Sequence, residues 1–215
     1  MPRKSKIDFI DFHVARFTQI SESHCGPAVI QMLLSNLGIE ISQEAIAEAG
    51  GATELIEMNG MRIDQLARAV RKLAPQARFW YKDHSTIQEL AALITEYRQP
   101  VGVEWQGVFE DPDEDNEAES DDTETGDTDY GHYSVVTHVN LEKQELIIAD
   151  PYKDFIAQDR IFSLAEFEER WYDFNEVPDP SSEEPKLIED FHMLFIVTDA
   201  GETFPQDLQM IPGAD

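Results

Sequence analysis

The sequence predicts an α+β protein, a helical first half packed on an antiparallel sheet supplied by the second. Three observations carry that expectation. The run Ala28–Leu37 is apolar on nearly every face, and apolar residues recur at helical spacing as far as Tyr97. After Pro100 the pattern turns to short β-branched and aromatic runs bounded by turn residues.

Taken in order, Ala28–Leu37 stops at Gly38, as a buried central helix would. Ser42 is a fitting N-cap for a short helix that ends at Gly50-Gly51, and a helix-ending turn accounts for that glycine pair. Between Arg62 and Leu73, Ile63, Leu66, Ala69, Val70 and Leu73 share one helical face, and Pro75 follows. Residues 77–82 form a short strand, and Ser85–Tyr97 a capped helix with Ile87, Leu90, Leu93 and Ile94 on one side. Strands are expected at Val101–Trp105, His132–Val139, Glu145–Ala149 and Met193–Val197. The second and third form a hairpin through the turn-rich link Asn140–Glu145, and Ser163 caps a last helix over Leu164–Tyr172.

Charge divides the 215-residue chain unevenly. Lys and Arg number 16 against 44 Asp and Glu, for a net charge of −28. That balance excludes a sequence-independent grip on nucleic acid, which needs clustered cations, and argues against anchoring to an anionic membrane. Residues 110–129 hold 12 acidic side chains and no Lys or Arg, and without them the charge is −16. With so little to bury, this segment is expected to be a disordered insertion between two strands. Residues 176–185 read as a loop and 201–215 as a loose tail, which leaves one domain over residues 1–200. No run of 18 apolar residues exists for a membrane span, and Ile7-Asp8-Phe9-Ile10-Asp11 interrupts any signal peptide, so a cytoplasmic protein is expected.

The chemistry starts at the only cysteine, Cys25, which can make no intrachain disulfide. It stands where a loop enters the apolar helix, with Pro27 suited to the first turn. The positive end of the helix dipole favours a thiolate there, and Gly26 leaves the approach to the sulfur open. A small buried core cysteine is the ordinary alternative. A cysteine nucleophile needs a base, a group that orients the base, and donors for an oxyanion. Gln19 can bring its side-chain amide beside the Cys25 N–H. His132 opens a strand, and Asp150 closes the next, where the hairpin can set it beside the imidazole. Taken singly, these are a surface amide, a strand histidine and a turn residue before proline. Together they fit one helix facing one hairpin.

Other residues are weaker candidates. His138, six residues beyond His132, shares its face on a regular strand and is expected to pack or meet solvent. His24 reads as an exposed histidine, and Trp105 as core. No cluster has metal-ligand spacing, so neither a metal nor a cofactor is expected.

The blocks Gln19-Ile-Ser-Glu-Ser-His-Cys25-Gly-Pro-Ala, Gly131-His132-Tyr-Ser-Val-Val and Ala149-Asp150-Pro151-Tyr152 resemble the C39-type cysteine peptidases of the papain-like superfamily. The resemblance extends in element order over residues 13–197. It implies Cys25 as nucleophile, His132 as general base and acid, Asp150 as the residue orienting it, and Gln19 as oxyanion donor. Members of the family commonly cleave leader peptides after a double glycine, often as domains of peptide exporters. This chain departs from the exporters in lacking a membrane segment and an ATP-binding loop, and in carrying the acidic insertion and a longer acidic C-terminal part. The expected activity is hydrolysis of a peptide or amide bond, or acyl transfer to another acceptor, on a substrate that is basic or contains Gly-Gly. The alternative is a non-enzymatic interaction protein that holds a basic partner through its acidic segments.

Overall fold

The all-round apolar run becomes α1 (Cys25–Asn36), whose residues from Cys25 to Ile30 are all buried. The computed structural model describes residues 14–109, 131–155, 158–177, 181–182, 185–203 and 208–213. The acidic insertion predicted at 110–129 lies outside them. After α1 come α2 (Gln43–Gly50), the single turn α3 (Ile56–Asn59) and α4 (Ile63–Leu73). Ser42 caps α2 by accepting from the Ala45 N–H at 3.3 Å, and Gly51 closes it in the left-handed conformation at φ 76°. Strand β1 (Ala77–Lys82) leads to α5 (Ile87–Thr95). Thr86 caps α5, in a reciprocal capping box with Glu89.

The second half supplies β2 (Val101–Gln106), β3 (Gly131–Asn140), β4 (Glu145–Ala149), β5 (Arg160–Ser163), α6 (Leu164–Arg170), β6 (Tyr172–Val177), β7 (Lys186–Phe191) and β8 (Leu194–Asp199). Seven strands, closed by β9 (Ile211–Pro212), make one sheet in the order β5-β4-β3-β2-β8-β1-β9, every pair antiparallel. Strands β6 and β7 pair separately as a hairpin. The α+β class is therefore the observed one. No helix among the described residues is long and apolar enough to cross a membrane.

Strand alternation divides the core in two. Phe79, Tyr133, Val135, Phe195 and Val197 face α1, α2 and α4, and Trp80, Val103, Trp105, Val136 and Ile196 face α5 and α6. Trp105 is core, as expected, and its indole N–H donates to Ser134 Oγ at 3.1 Å.

Three features differ from the sequence expectation. The unexpected strands β6 and β7 flank the stretch read as a loop, and β9 lies in the stretch read as a tail; residues 208–213 bury Leu208 and bond Gly213 N to Phe79 O at 2.9 Å. These strands have few neighbours and mixed charge, so no clean alternation betrays them. Second, β3 is not regular: Val136 pairs with Ile148 and His138 with Ile147, which leaves Thr137 as a bulge. The extra residue inverts the parity, so Val139 returns to the face of Val136 and His138 does not share the face of His132. Third, Gly26 does not open a path to the sulfur. A Cβ there would lie 3.3 Å from both Leu66 and Tyr133, so the glycine lets α1 pack closely.

Candidate active site

Cys25 is the first residue of α1 and only 8% exposed. Its N–H belongs to the first turn, where no intrahelical acceptor exists. The loop before it is tied down on two sides. Buried Gln43 donates to Thr18 O at 2.8 Å and accepts from Ile20 N at 3.1 Å. On the other side, Gln19 N donates to Pro151 O at 2.9 Å, and Lys153 pairs with Glu22 at 3.2 Å. The loop holding the thiol is thereby fastened to the residues following Asp150.

The β3–β4 hairpin does what the sequence suggested. His132 Nε2 and Asp150 Oδ1 are 2.8 Å apart, and both side chains are buried. Asp150 also accepts from the Tyr152 N–H at 2.9 Å, and its second oxygen accepts from Arg160 Nη1 at 2.7 Å. Arg160 lies over the Phe155 ring, 3.7 Å from its centre, and donates to Val108 O as well. The edge of Phe109 meets His132 at 5.0 Å between ring centres. With Nε2 committed to Asp150, Nδ1 is the nitrogen left for the Cys25 thiol.

The electrostatics follow from this packing. Burial pushes the His132 pKa down, but the charge and hydrogen bond of Asp150, helped by the neighbouring Cys25, outweigh it and lift the imidazole to about 10. Burial pushes Asp150 up, and His132, the Tyr152 N–H and Arg160 outweigh that in turn, so its carboxyl falls to about 2. The site holds a buried ion pair.

That pair and one further carboxyl predict how stability varies with pH. Glu104, at the end of β2 near this site, is raised from 4.5 to about 7 by burial and then by the charge of Asp190. A raised carboxyl binds protons in the folded state that the unfolded chain has lost, so stability falls between pH 4.5 and 7. The His132 contribution is complete below its ordinary 6.5 and is lost as pH rises through about 10. Asp150 contributes above its ordinary 3.8 and loses its share as pH falls through about 2. Thermal unfolding across pH should therefore show two successive losses as pH rises, the first between pH 4.5 and 7 and the second between 6.5 and about 10. Glu104→Gln should remove the first and His132→Gln the second; one unbroken slope in all three proteins would contradict the assignment.

Gln19 is buried, but its Nε2 donates to Ser21 O at 2.9 Å and Glu22 O at 3.1 Å, inside its own loop. Its Oε1 is buried without a hydrogen-bond partner. His24, expected exposed, is buried, and its Nδ1 lies 2.6 Å from Ser21 Oγ, which also donates to Glu57. The turn that delivers Cys25 folds this ring inward. Arg160 and Gln43 escaped the sequence reading because their partners are remote in the chain.

Beside Cys25 opens a cleft of about 480 Å³ lined by Ser23, Met61, Glu104, Tyr133, Asp173 and Phe174 among others. Leu55, Met58 and Leu187 line it too, and these are exposed apolar side chains.

No curated protein matches the sequence significantly. The solved structures that resemble the fold include two peptidase domains. The peptidase domain of Streptococcus ComA, a bi-functional ABC transporter of a quorum-sensing pathway, is 16% identical with a TM-score of 0.53, covering 87% of this chain and 99% of that one. A double glycine motif protease from an AMS/PCAT transporter, in complex with its leader peptide, is 14% identical with a TM-score of 0.52, covering 87% and 92%. The Peptidase_C39 like family matches residues 12–178, a stretch that runs from before Gln19 to the end of β6 and takes in the thiol, the imidazole and the carboxylate alike; the chain belongs to that family.

Proposed function

We propose that this chain is a cysteine peptidase, with Cys25 as nucleophile, His132 as base and acid, and Asp150 as the residue that orients the imidazole. The observation that carries the reading is the buried His132–Asp150 pair, which holds Nε2–H and leaves Nδ1 to the thiol. With His132 charged, its Nδ1–H holds Cys25 as the thiolate; Sγ attacks the scissile carbonyl, and Nδ1–H then gives its proton to the leaving amine. Water, activated by the same nitrogen, releases the acid from the thioester.

The oxyanion is met by the Cys25 N–H and by Gln19, whose amide turns from the Ser21 and Glu22 carbonyls toward the cleft. Its oxygen, buried and unpartnered, supports that reading, since the resting arrangement leaves the amide incompletely satisfied. A peptide substrate is favoured by the apolar rim of Leu55, Met58 and Leu187 and by the structural neighbour that holds a leader peptide.

Iodoacetamide at pH 5.5 and a quenched peptide library test the reading together. Cys25 should be alkylated where an ordinary thiol is not, and some peptides should be cleaved. Gln19→Ala should lose on the order of 10²–10³ in kcat/KM, as for one oxyanion donor, while its alkylation rate stays near that of the parent. An inert thiol in a protein that cleaves nothing would sink the peptidase and favour the interaction protein.

A further inference from the structure

The floor of the cleft beside Cys25 is acidic and incompletely satisfied. Glu104 is 1% exposed; Oε1 accepts from Asn175 Nδ2 at 3.1 Å, and Oε2 is buried with no hydrogen-bond partner. The Tyr133 hydroxyl beside it is likewise buried without one; it is near enough to favour the charged carboxylate but out of hydrogen-bond geometry. Asp173 accepts from Gln106 Nε2 at 2.9 Å and stands opposite Asp190 in the β6–β7 pairing. Asn175 joins Asp190 to Glu104, with Nδ2 2.8 Å from Asp190 Oδ2. Like charges opposed across strands are unfavourable, and these are partly or fully buried. Arg62, the one cationic side chain among the described cleft residues, is held by Asp64 at 3.1 Å.

The arrangement is built, not accidental crowding. A Cβ on Gly131 would lie 2.5 Å from the Asp173 carboxylate, so the absence of a side chain there lets the acid sit where it does. Tyr133 feels both the Cys25 thiol and the Glu104 carboxyl, which sets the acidic floor within one side chain of the nucleophile.

Resting on the peptide-binding reading above, we propose that Glu104 and Asp173, backed by Asp190 through Asn175, form a subsite for the ammonium or guanidinium group of a lysine or arginine in the substrate. Glu104 Oε2 and Tyr133 Oη are the acceptors that await a donor. Met61, Leu55 and Phe174 line the same cleft and suit the alkyl stem behind the charge. No three His, Cys, Asp or Glu side chains among the described residues are placed to hold a metal, which favours an organic cation. In the unliganded cleft a proton takes the place of that cation, since burial and Asp190 hold Glu104 partly protonated near pH 7.

Cys25, the only cysteine, reports on the field without any need for turnover. It would be modified at pH 8 and low salt with two methanethiosulfonates, one carrying a trimethylammonioethyl group and the other a sulfonatoethyl group. The cation-to-anion rate ratio should fall about tenfold in Glu104→Gln, and Asp173→Asn should move it the same way. Glu142→Gln, on an exposed turn, removes the same charge and should leave the ratio alone. In matched peptides, the preference for Lys over norleucine at one position should fall by a similar factor in Glu104→Gln. Ratios unchanged in both cleft variants, or lowered equally by Glu142→Gln, overturn the subsite and make the carboxyls a proton-sharing structural cluster. Failure of every peptide to be cleaved tells against the peptidase, while the reagent ratio still decides the subsite.

Discussion

Cys25→Ala should abolish hydrolysis, a loss on the order of 10⁴–10⁶ in kcat, and His132→Ala should lose nearly as much. Without the imidazole the thiol keeps its proton and the leaving amine receives none. Cys25→Ala should lower stability by only about 1 kcal/mol, because a single sulfur is removed from an already small side chain. His138→Ala is the control. The Thr137 bulge turns that histidine off the face of His132, so kcat/KM should stay within about twofold of the parent. Equal losses for His132→Ala and His138→Ala would refute the assignment of the base.

The second large effect belongs to Asp150, and it appears in stability and rate together. Asp150→Ala leaves His132 and Arg160 buried beside a void, and losing one partner of such a network costs about 3–5 kcal/mol. Asp150→Asn keeps the shape and an acceptor for Tyr152 N–H, so it should unfold at a temperature between those of the parent and Asp150→Ala. Its activity should fall less than that of His132→Ala, because the amide still holds the ring, though it can select the wrong tautomer. Arg160→Met offers a contrast: the thioether can pack between Phe155 and Phe162, so stability should suffer less than in Asp150→Ala. Thermal unfolding and single-turnover kinetics on the three variants check the order. Asp150→Ala as stable as the parent would show that the buried pair is not the anchor described here.

What the sequence made legible was whatever is written locally. Helix α1 shows itself because nine of its residues are buried, so apolar side chains cover nearly every face of it up to Gly38. Strands β2, β3, β4 and β8 sit in the middle of the sheet, and burial on both faces filled them with β-branched and aromatic residues. The meeting of His132 and Asp150 was legible too, because a hairpin with a short link brings the start of one strand beside the end of the next. The hairpin β6–β7 was not. Its residues mix acids with exposed Phe174, Leu187 and Ile188 in no regular alternation, so neither composition nor period marks a strand. Illegible for the same reason were Arg160, whose partners lie 10 and 52 residues away, and the depth of Glu104, which only remote strands bury. His24 was misread because a histidine in a polar loop gives no sign that a neighbouring serine will take its ring inward.

Gln106 and Gly131 face each other as the last rung of β2–β3, so the chain leaves the sheet and returns to it at a single point. The connection between them is closed whatever it contains, and the free energy of closing it grows only with the logarithm of its length. Doubling its length adds about 0.6 kcal/mol, less than one ordinary core substitution. The anchors at both ends, Val108 held by Arg160 and Gly131 fitted against Asp173, belong to the site itself. The length between those two ends can therefore change at little cost while Val108 and Gly131 keep their contacts with Arg160 and Asp173.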